Sequence, residues 1–353
     1  MSNNFQLSTL NSHLSFRVWV RCATFNQAPY ITATMDGFCM QQTNFPFLCV
    51  IVDDDSKDGE QDIIKQYLRE HFEEEAPQPP KGGDTDAYHL LLARHKENKN
   101  CYFAVFLLKY NHYSIKKSKE LYYQDLIVGT DFIALCEGDD YWTDEHKLQK
   151  QVDALDANPQ ATLVYTNFRL IDGEGKPTSR SHINKFPGRS HSGDNLPTLF
   201  RYGNYIMTLT TMYRSEVWQS ESFINCPYKM DFTLTLSAAL MGDFIWIPDQ
   251  TADYRSLESG MVMSNHAKVK QQTKAIYRYY ADLFMSGQRK PLSFFQRIQP
   301  TLFILLWALK MKDHQFRKNI LSISLLSRLL LPVAFVILKK ERLKKRIEKW
   351  NKV

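Results

Sequence analysis

The sequence predicts an α/β protein: a mainly parallel sheet flanked by helices, followed by a helical C-terminal region. Three observations carry this. Strand and helix patterns alternate twice within about sixty residues near the start. Two short, continuous apolar runs each end in an acidic turn, and from about residue 266 onward every pattern is helical. Alternating strand and helix is the signature of βαβ units, and continuous apolar strands are those of a parallel sheet buried on both faces. The expected division is a sheet domain over 1–265 and a helical region over 266–353.

Residues 16–23 alternate Phe16, Val18, Val20 and Cys22 with Arg17, Trp19 and Arg21, as a strand does. Pro29 then opens a helix that places Ile31, Met35, Phe38 and Cys39 on one face. Residues 46–52 are a short apolar run, read as a buried strand, and Ile63, Ile64, Tyr67 and Leu68 return to helical spacing. Residues 73–86 hold three glutamates, three prolines and two glycines, a loop or insertion, and 87–123 shows no clear pattern. A further strand is expected at 131–136 and a helix from about Asp144 to Ala157. Strands follow at 161–167, 206–213 and 243–254, with a helix at 231–241.

Composition excludes several classes. The 353 residues are 44% hydrophobic and 23% charged, which rules out disordered and collagen-like chains. The net charge of +6 is carried by residues 339–353, with eight basic and two acidic side chains; the remaining 338 residues hold 36 of each sign. No body-wide basic face exists to grip a nucleic acid. The six cysteines are scattered, without CxxC pairs, and the N-terminus has no signal-peptide pattern, so a cytosolic setting is expected. The apolar run Ile320–Leu338 contains Arg328 and is interrupted by Pro332. Together with the basic tail it reads as a helix on the inner face of an anionic membrane, with 320–353 as the contact. The plainer alternative is a helical subdomain with a solvated basic end.

Three acidic positions lie where open α/β sheets bind ligands, beyond strand ends. Asp53-Asp54-Asp55-Ser56-Lys57-Asp58-Gly59 follows the strand at 46–52. Asx-turns and helix capping account for Ser56 and Asp58, but three successive carboxylates call for a donor or cation. Glu137-Gly138-Asp139-Asp140-Tyr141-Trp142 follows the strand at 131–136. Alternate carboxylates around a glycine can share one hard divalent cation, which commonly bridges to phosphates. Asp231 starts the helix at 231–241 and is either an N-cap or a base for an alcohol proton. There is no dinucleotide glycine motif, P-loop, nucleophile elbow or HExxH. His182, His191 and His266 lack metal spacing and read as solvated loop residues.

In order and spacing these segments resemble family 2 glycosyltransferases of the GT-A fold, whose nucleotide-binding sheet is mixed and mainly parallel. The resemblance rests on Ala23-Thr24-Phe25-Asn26-Gln27-Ala28-Pro29-Tyr30, the turn at 53–59, and the run from Ala134 to Val152, and it covers roughly 16–260. The last run is similar to bacterial members that build capsule and lipopolysaccharide glycans. The resemblance implies that Ala23, Phe25 and Asp54 hold the nucleotide base and that Asn26 also lies on the nucleotide-sugar. It places Glu137, Gly138, Asp139 and Asp140 at the DxD-type motif, with Asp139 and Glu137 on a Mn²⁺ or Mg²⁺ ion, Asp231 as catalytic base, and Arg255 on the diphosphate. A metal-dependent, inverting transfer from a nucleotide-sugar, UDP-linked by family habit, to a glycan or lipid-linked glycan acceptor is therefore expected. Phe25 keeps a stacking ring without the commoner tyrosine hydroxyl, Glu137 replaces the first Asp, and Leu257 stands where many relatives have His. Two other functions compete. A sugar-nucleotide pyrophosphorylase would want a glycine-rich, basic first loop, absent at 23–30; a non-catalytic scaffold would have lost Asp139 or Asp231, and both are present.

Overall fold

The computed structural model describes residues 15–74, 84–124, 129–178, 189–257 and 266–350, with side chains to Lys344. The chain divides into two compact units: Met1–Lys185 with Ile206–Glu216 and Ile245–Glu258, and Phe186–Tyr205 with Val217–Phe244 and Ser259–Val353.

The first unit holds the sheet. Its strands are β1 (Val18–Thr24), β2 (Phe47–Asp53), β3 (Phe72–Glu74), β4 (Tyr88–His95), β5 (Cys101–Leu108), β6 (Phe132–Leu135), β7 (Tyr141–Trp142), β8 (Ala161–Ile171), β9 (Thr211–Arg214) and β10 (Asp243–Arg255), whose first two residues belong to the other unit. They are ordered β3-β4-β5-β2-β1-β6-β9-β8-β10-β7. The central run β5-β2-β1-β6 is parallel; β3, β4, β7 and β9 pair antiparallel. Every residue of β2 and β5 is buried, which is why both read as continuous apolar runs.

Three helices flank this sheet. In α1 (Ile31–Cys39) Ile31, Thr34, Met35 and Phe38 are buried, and in α2 (Glu60–His71) Ile64, Tyr67 and Leu68 are. In α3 (Lys147–Ala157) Leu148, Val152 and Leu155 are buried, the face expected from their spacing. Trp142 joins the layers: its Nε1 donates to the Leu209 carbonyl (2.9 Å) and its ring meets Phe38 edge-on. Gly37 lets α1 approach the main chain of Trp142, because a Cβ there would sit 2.9 Å from the Trp142 backbone nitrogen.

The second unit is helical: α4 (Leu196–Tyr202), the short α5 (Ser215–Trp218, which begins in the first unit) and α6 (Glu221–Ile224), α7 (Asp231–Met241), α8 (His266–Ser286), α9 (Phe294–Lys310), α10 (His314–Ile323) and α11 (Leu325–Trp350). From Phe232 to Leu240 α7 is buried throughout. Tyr280 of α8 fixes it, sharing a hydrogen bond with Ser237 Oγ and donating to the Thr233 carbonyl. Ser293 and Gln296 cap α9 reciprocally.

Several elements differ from expectation in instructive ways. The patternless stretch 87–123 contains β4 and β5. The strand expected at 206–213 begins only at Thr211, after a 3₁₀ turn at Thr208–Thr210. Pro332 does not end its helix; α11 runs through it, and the break falls at Ser324 instead. No helix among the described residues is long and apolar enough to cross a membrane.

Candidate active site

Parallel pairing brings the first two acidic segments to one edge of the sheet. Thr24 at the end of β1 is level with Asp53 at the end of β2, and Arg21 with Leu135 of β6. The loops after β1, β2 and β6 therefore leave the sheet side by side.

The loops after β1 and β2 are stapled together. The Asn26 amide donates to Ser56 Oγ (2.8 Å), the Lys57 amide to Asn26 Oδ1 (2.8 Å) and the Ala28 amide to Asp58 Oδ2 (2.9 Å). Asn26 adopts the left-handed conformation this requires (φ 53°), which asparagine tolerates better than most residues. Glu60 closes the arrangement from beneath: it accepts from the Gln27 amide (2.9 Å), Ser56 Oγ (2.8 Å) and Thr24 Oγ1. Burial pushes the Glu60 carboxyl above its ordinary range, against the pull of those donors. Ser56 and Asp58 thus act as the loop and cap residues their type suggests, but toward the neighbouring loop as well.

Between them Phe25 presents a ring that is 45% exposed, a large aromatic left open at a strand end. Asp54 is buried. It accepts from the amides of His112 (2.8 Å) and Tyr113 (3.1 Å) and from Lys119 Nζ (3.1 Å), leaving about one of a carboxylate's four acceptor positions. Asp53 is fully buried as well; Oδ1 accepts from the Ser56 amide, and Oδ2 has no hydrogen-bond partner among the described residues.

The turn after β6 seats directly on β1, with the Gly138 amide donating to the Ala23 carbonyl (3.2 Å). Only glycine fits: a Cβ would come within 2.6 Å of Gln27 Oε1 and closer still to Thr24 Oγ1. Thr34 Oγ1 reaches the carbonyls of Gly138 (2.9 Å) and Asp140 (2.7 Å), tying the turn to α1. Asp140 is buried and accepts from the Arg255 amide (2.7 Å). Burial raises the Asp139 carboxyl, and it raises Asp140 further with help from the charge of Asp139.

Arg255 ends β10. Its Nε donates to the Asp139 carbonyl (2.9 Å) and Nη1 to those of Asp172 (3.0 Å) and Gly173 (3.1 Å), while the guanidinium lies 4.3 Å from the Tyr30 ring centroid. A cation is thus fixed against the acidic turn by main-chain acceptors, and among the described residues its guanidinium makes no ion pair with Asp139 or Asp140. Among the described residues no group of three or more His, Cys, Asp or Glu side chains is arranged to hold a metal alone. Glu137 and Asp139 supply hard oxygen donors on a desolvated anionic turn, a donor set that fits Mg²⁺ or Mn²⁺ completed by phosphate and water.

Asp231 lies in the second unit. It is exposed at the first helical position of α7, and Met230 is the N-cap, so the capping role does not fall to it. His191 lies with Nδ1 2.8 Å from the Arg189 carbonyl and Nε2 3.4 Å from that of Asp194, carbonyls that accept from whichever ring nitrogen carries the proton; His182 lies outside the described residues, as does most of 178–188. Sequence reasoning missed Glu60 and Lys147. Lys147 is wholly buried near the acidic turn, donating to Gln151 Oε1 (2.7 Å) with its ammonium 4.3 Å from the Trp142 ring centroid. Burial pushes its pKa down to about 7, partly opposed by Cys136 and Asp144.

With this geometry in hand, comparison with known proteins is decisive for the fold. The sequence model described as Glycosyl transferase family 2 matches residues 20–75, the span from β1 through α2 that carries both stapled loops. The chain has a fold of the GT-A glycosyltransferase type. Solved structures of S. aureus TarS 1-349 superpose on it: that in complex with UDP-GlcNAc at TM-score 0.51 and 15% identity, covering 90% of this chain and 79% of that one. The complex with UDP gives 0.50 and 14%, covering 88% and 76%. At such identities the likeness concerns the fold. Uncharacterized proteins of Mycobacterium tuberculosis and Mycobacterium bovis are 27% identical over 240 residues, 67% of this chain and 58% of theirs. The chain thus spans less than two thirds of the length of the curated relatives it matches.

Proposed function

We propose that this chain is a metal-dependent, inverting glycosyltransferase. In this reading it moves a sugar from a nucleotide-sugar, a UDP-sugar first among them, to a hydroxyl of a capsule, O-antigen or lipopolysaccharide precursor at the inner face of the cell membrane. The observation that carries it is the Glu137–Asp140 turn, seated on β1 beside the open ring of Phe25 and backed by the fixed cation of Arg255.

The roles follow from chemistry. Phe25 offers a face for base stacking, and the remaining acceptor position of Asp54 suits a ring N–H. Glu137 and Asp139 would hold the divalent ion, which when bound would supply charge neutralisation to a departing diphosphate. Arg255, immobilised before substrate arrives, adds positive potential at no reorganisation cost. Asp231 is the base: it takes the acceptor hydroxyl's proton as that oxygen bonds to the anomeric carbon. The bond from that carbon to the diphosphate oxygen breaks on the opposite face, and the nucleoside diphosphate leaves with the electron pair. Configuration inverts.

Calorimetric titration of UDP with Mn²⁺ and with EDTA tests the donor site. Binding is expected only with metal, and Asp139→Asn is expected to abolish it while circular dichroism stays unchanged. UDP affinity equal in the presence of EDTA, or retained by the variant, refutes the metal assignment. Binding of dTDP or GDP in place of UDP changes the donor but not the mechanism.

A further inference from the structure

The second unit contains an open groove of ≈960 Å³ where the end of α9, the start of α10 and the middle of α11 meet. Phe335, Val336 and Leu343 line it and are each about half exposed. Lys312, Arg317, Lys339 and Arg342 line it too. Among the described residues none of these four cations is paired with a carboxylate. The neighbouring acids are already committed: Glu341 to Lys310 (2.9 Å) and Arg201, and Asp313 to the Phe316 amide (3.1 Å) with Arg278 nearby (3.5 Å).

The groove continues into a stripe. Leu325, Leu329, Val333, Val336 and Leu343 recur on α11 at spacings of four, four, three and seven residues, one face of a helix, and all are 45% exposed or more. An exposed apolar stripe beside four cations that have no carboxylate partner among the described residues is costly in water and is satisfied by one class of partner, an amphiphile with an anionic head.

We propose that this groove and stripe dock on an anionic phospholipid bilayer, with a lipid phosphate on Lys312, Arg317, Lys339 and Arg342 and the acyl region against Val336 and Leu343. The proposal deepens the membrane part of the functional reading and is independent of its chemistry, so vesicle binding and UDP binding are read separately on the same protein.

The test is flotation of the full chain with vesicles of phosphatidylglycerol and phosphatidylcholine, against phosphatidylcholine alone. Binding is expected only to the anionic vesicles. Lys339→Gln/Arg342→Gln removes two cations worth about 1 kcal/mol each near such a surface, which corresponds to an affinity loss of about 30-fold. Val336→Ser/Leu343→Ser is expected to lose at least tenfold and to leave a remnant that salt removes. Lys65→Gln/Lys99→Gln in the first unit, with the same loss of charge, is expected to bind within twofold of the parent. Parent-level binding by both groove variants overturns the groove while leaving the membrane reading; no binding by the parent protein overturns both. Displacement by glycerol phosphate, with no effect of Val336→Ser/Leu343→Ser, would give the cations to a soluble phosphate. Self-association abolished by Leu343→Ser without vesicle binding would give the stripe to a second copy of the chain. Either result overturns the bilayer.

Discussion

Replacing Lys147 with Met is expected to stabilise the protein at neutral pH and to change how its stability depends on pH. The side chain is fully buried, with Gln151 as its hydrogen-bond acceptor and the Trp142 ring beneath it. Its pKa falls from an ordinary 10.5 to about 7, so the folded protein resists the charged form that the unfolded chain prefers. Between those two values the unfolded state binds more protons, and stability therefore rises with pH. At about 1.4 kcal/mol per unit of separation, the lysine contributes roughly 3 kcal/mol more stability at pH 9.5 than at pH 7. Buried cysteines oppose this trend. Burial raises Cys22, Cys49, Cys101 and Cys136, whose thiols ionise more easily unfolded, so alkaline pH costs stability at each. The difference between the parent and Lys147→Met cancels the cysteine contribution. Met keeps the volume and places sulfur against the Trp142 ring; the loss is one hydrogen bond and an unsatisfied Gln151 oxygen, about 1–3 kcal/mol. Urea denaturation from pH 7 to 9.5 measures it. The variant's advantage should be largest at pH 7 and shrink by roughly 3 kcal/mol by pH 9.5. A pH-independent difference would mean that Lys147 keeps its ordinary pKa and that its ammonium is charged and solvated.

Gly138→Ala forces a Cβ to within 2.6 Å of the Thr24 Cβ, a separation real Cβ atoms do not adopt and one that a side-chain rotation of Thr24 cannot relieve. It should cost about 1–3 kcal/mol and lift the acidic turn off β1; UDP affinity measured by calorimetry should fall at least tenfold, and parent-like affinity would show that the turn's seat does not matter. Asp231→Asn should bind UDP as the parent does and lose about 10²–10⁴-fold in transfer rate, followed as acceptor glycosylation by mass spectrometry; near-parental turnover would move the base to another residue.

The parts of this site that were legible in sequence are those fixed by local pattern. The strands ending at Asp53 and Leu135 are short apolar runs, and parallel strands that short leave their following turns at one sheet edge, so the turns at 53–59 and 137–140 could be assigned together. Gly138 was also visible, as the glycine inside the second turn, whereas Phe25 was singled out only by the resemblance of residues 23–30 to family 2 glycosyltransferases. Glu60 and Lys147 were not. Charged residues on amphipathic helices read as solvent-facing, and their burial is decided by partners far away in sequence: Thr24 and Gln27 for the first, Trp142 and the Gln151–Thr210 link for the second. The β4–β5 pair escaped for a related reason. Tyr88–His95 mixes faces because the strand is only partly covered, and β5, apolar throughout, was obscured by its patternless surroundings. Pro332 misled because proline's penalty is a local rule, and the contacts of α11 with α9 outweigh one missing amide donor.

A ten-stranded sheet usually has to manage its two open margins, and this one ends on strands of three and two residues. β3 pairs with β4 over Phe72, Glu73 and Glu74, and Glu73 lies 3.4 Å from Lys99; β7 meets β10 at two positions only. Margins this short offer a foreign strand few unpaired amides and carbonyls to template on. The long apolar strands that form the centre, which would be hazardous at a boundary, are enclosed on both sides by their neighbours. The folded sheet is therefore poorly suited to growing into fibrils by edge addition, and one of its protective margins, β7, begins at the residue that follows Asp140, so the acidic turn itself leads into the strand that closes the sheet.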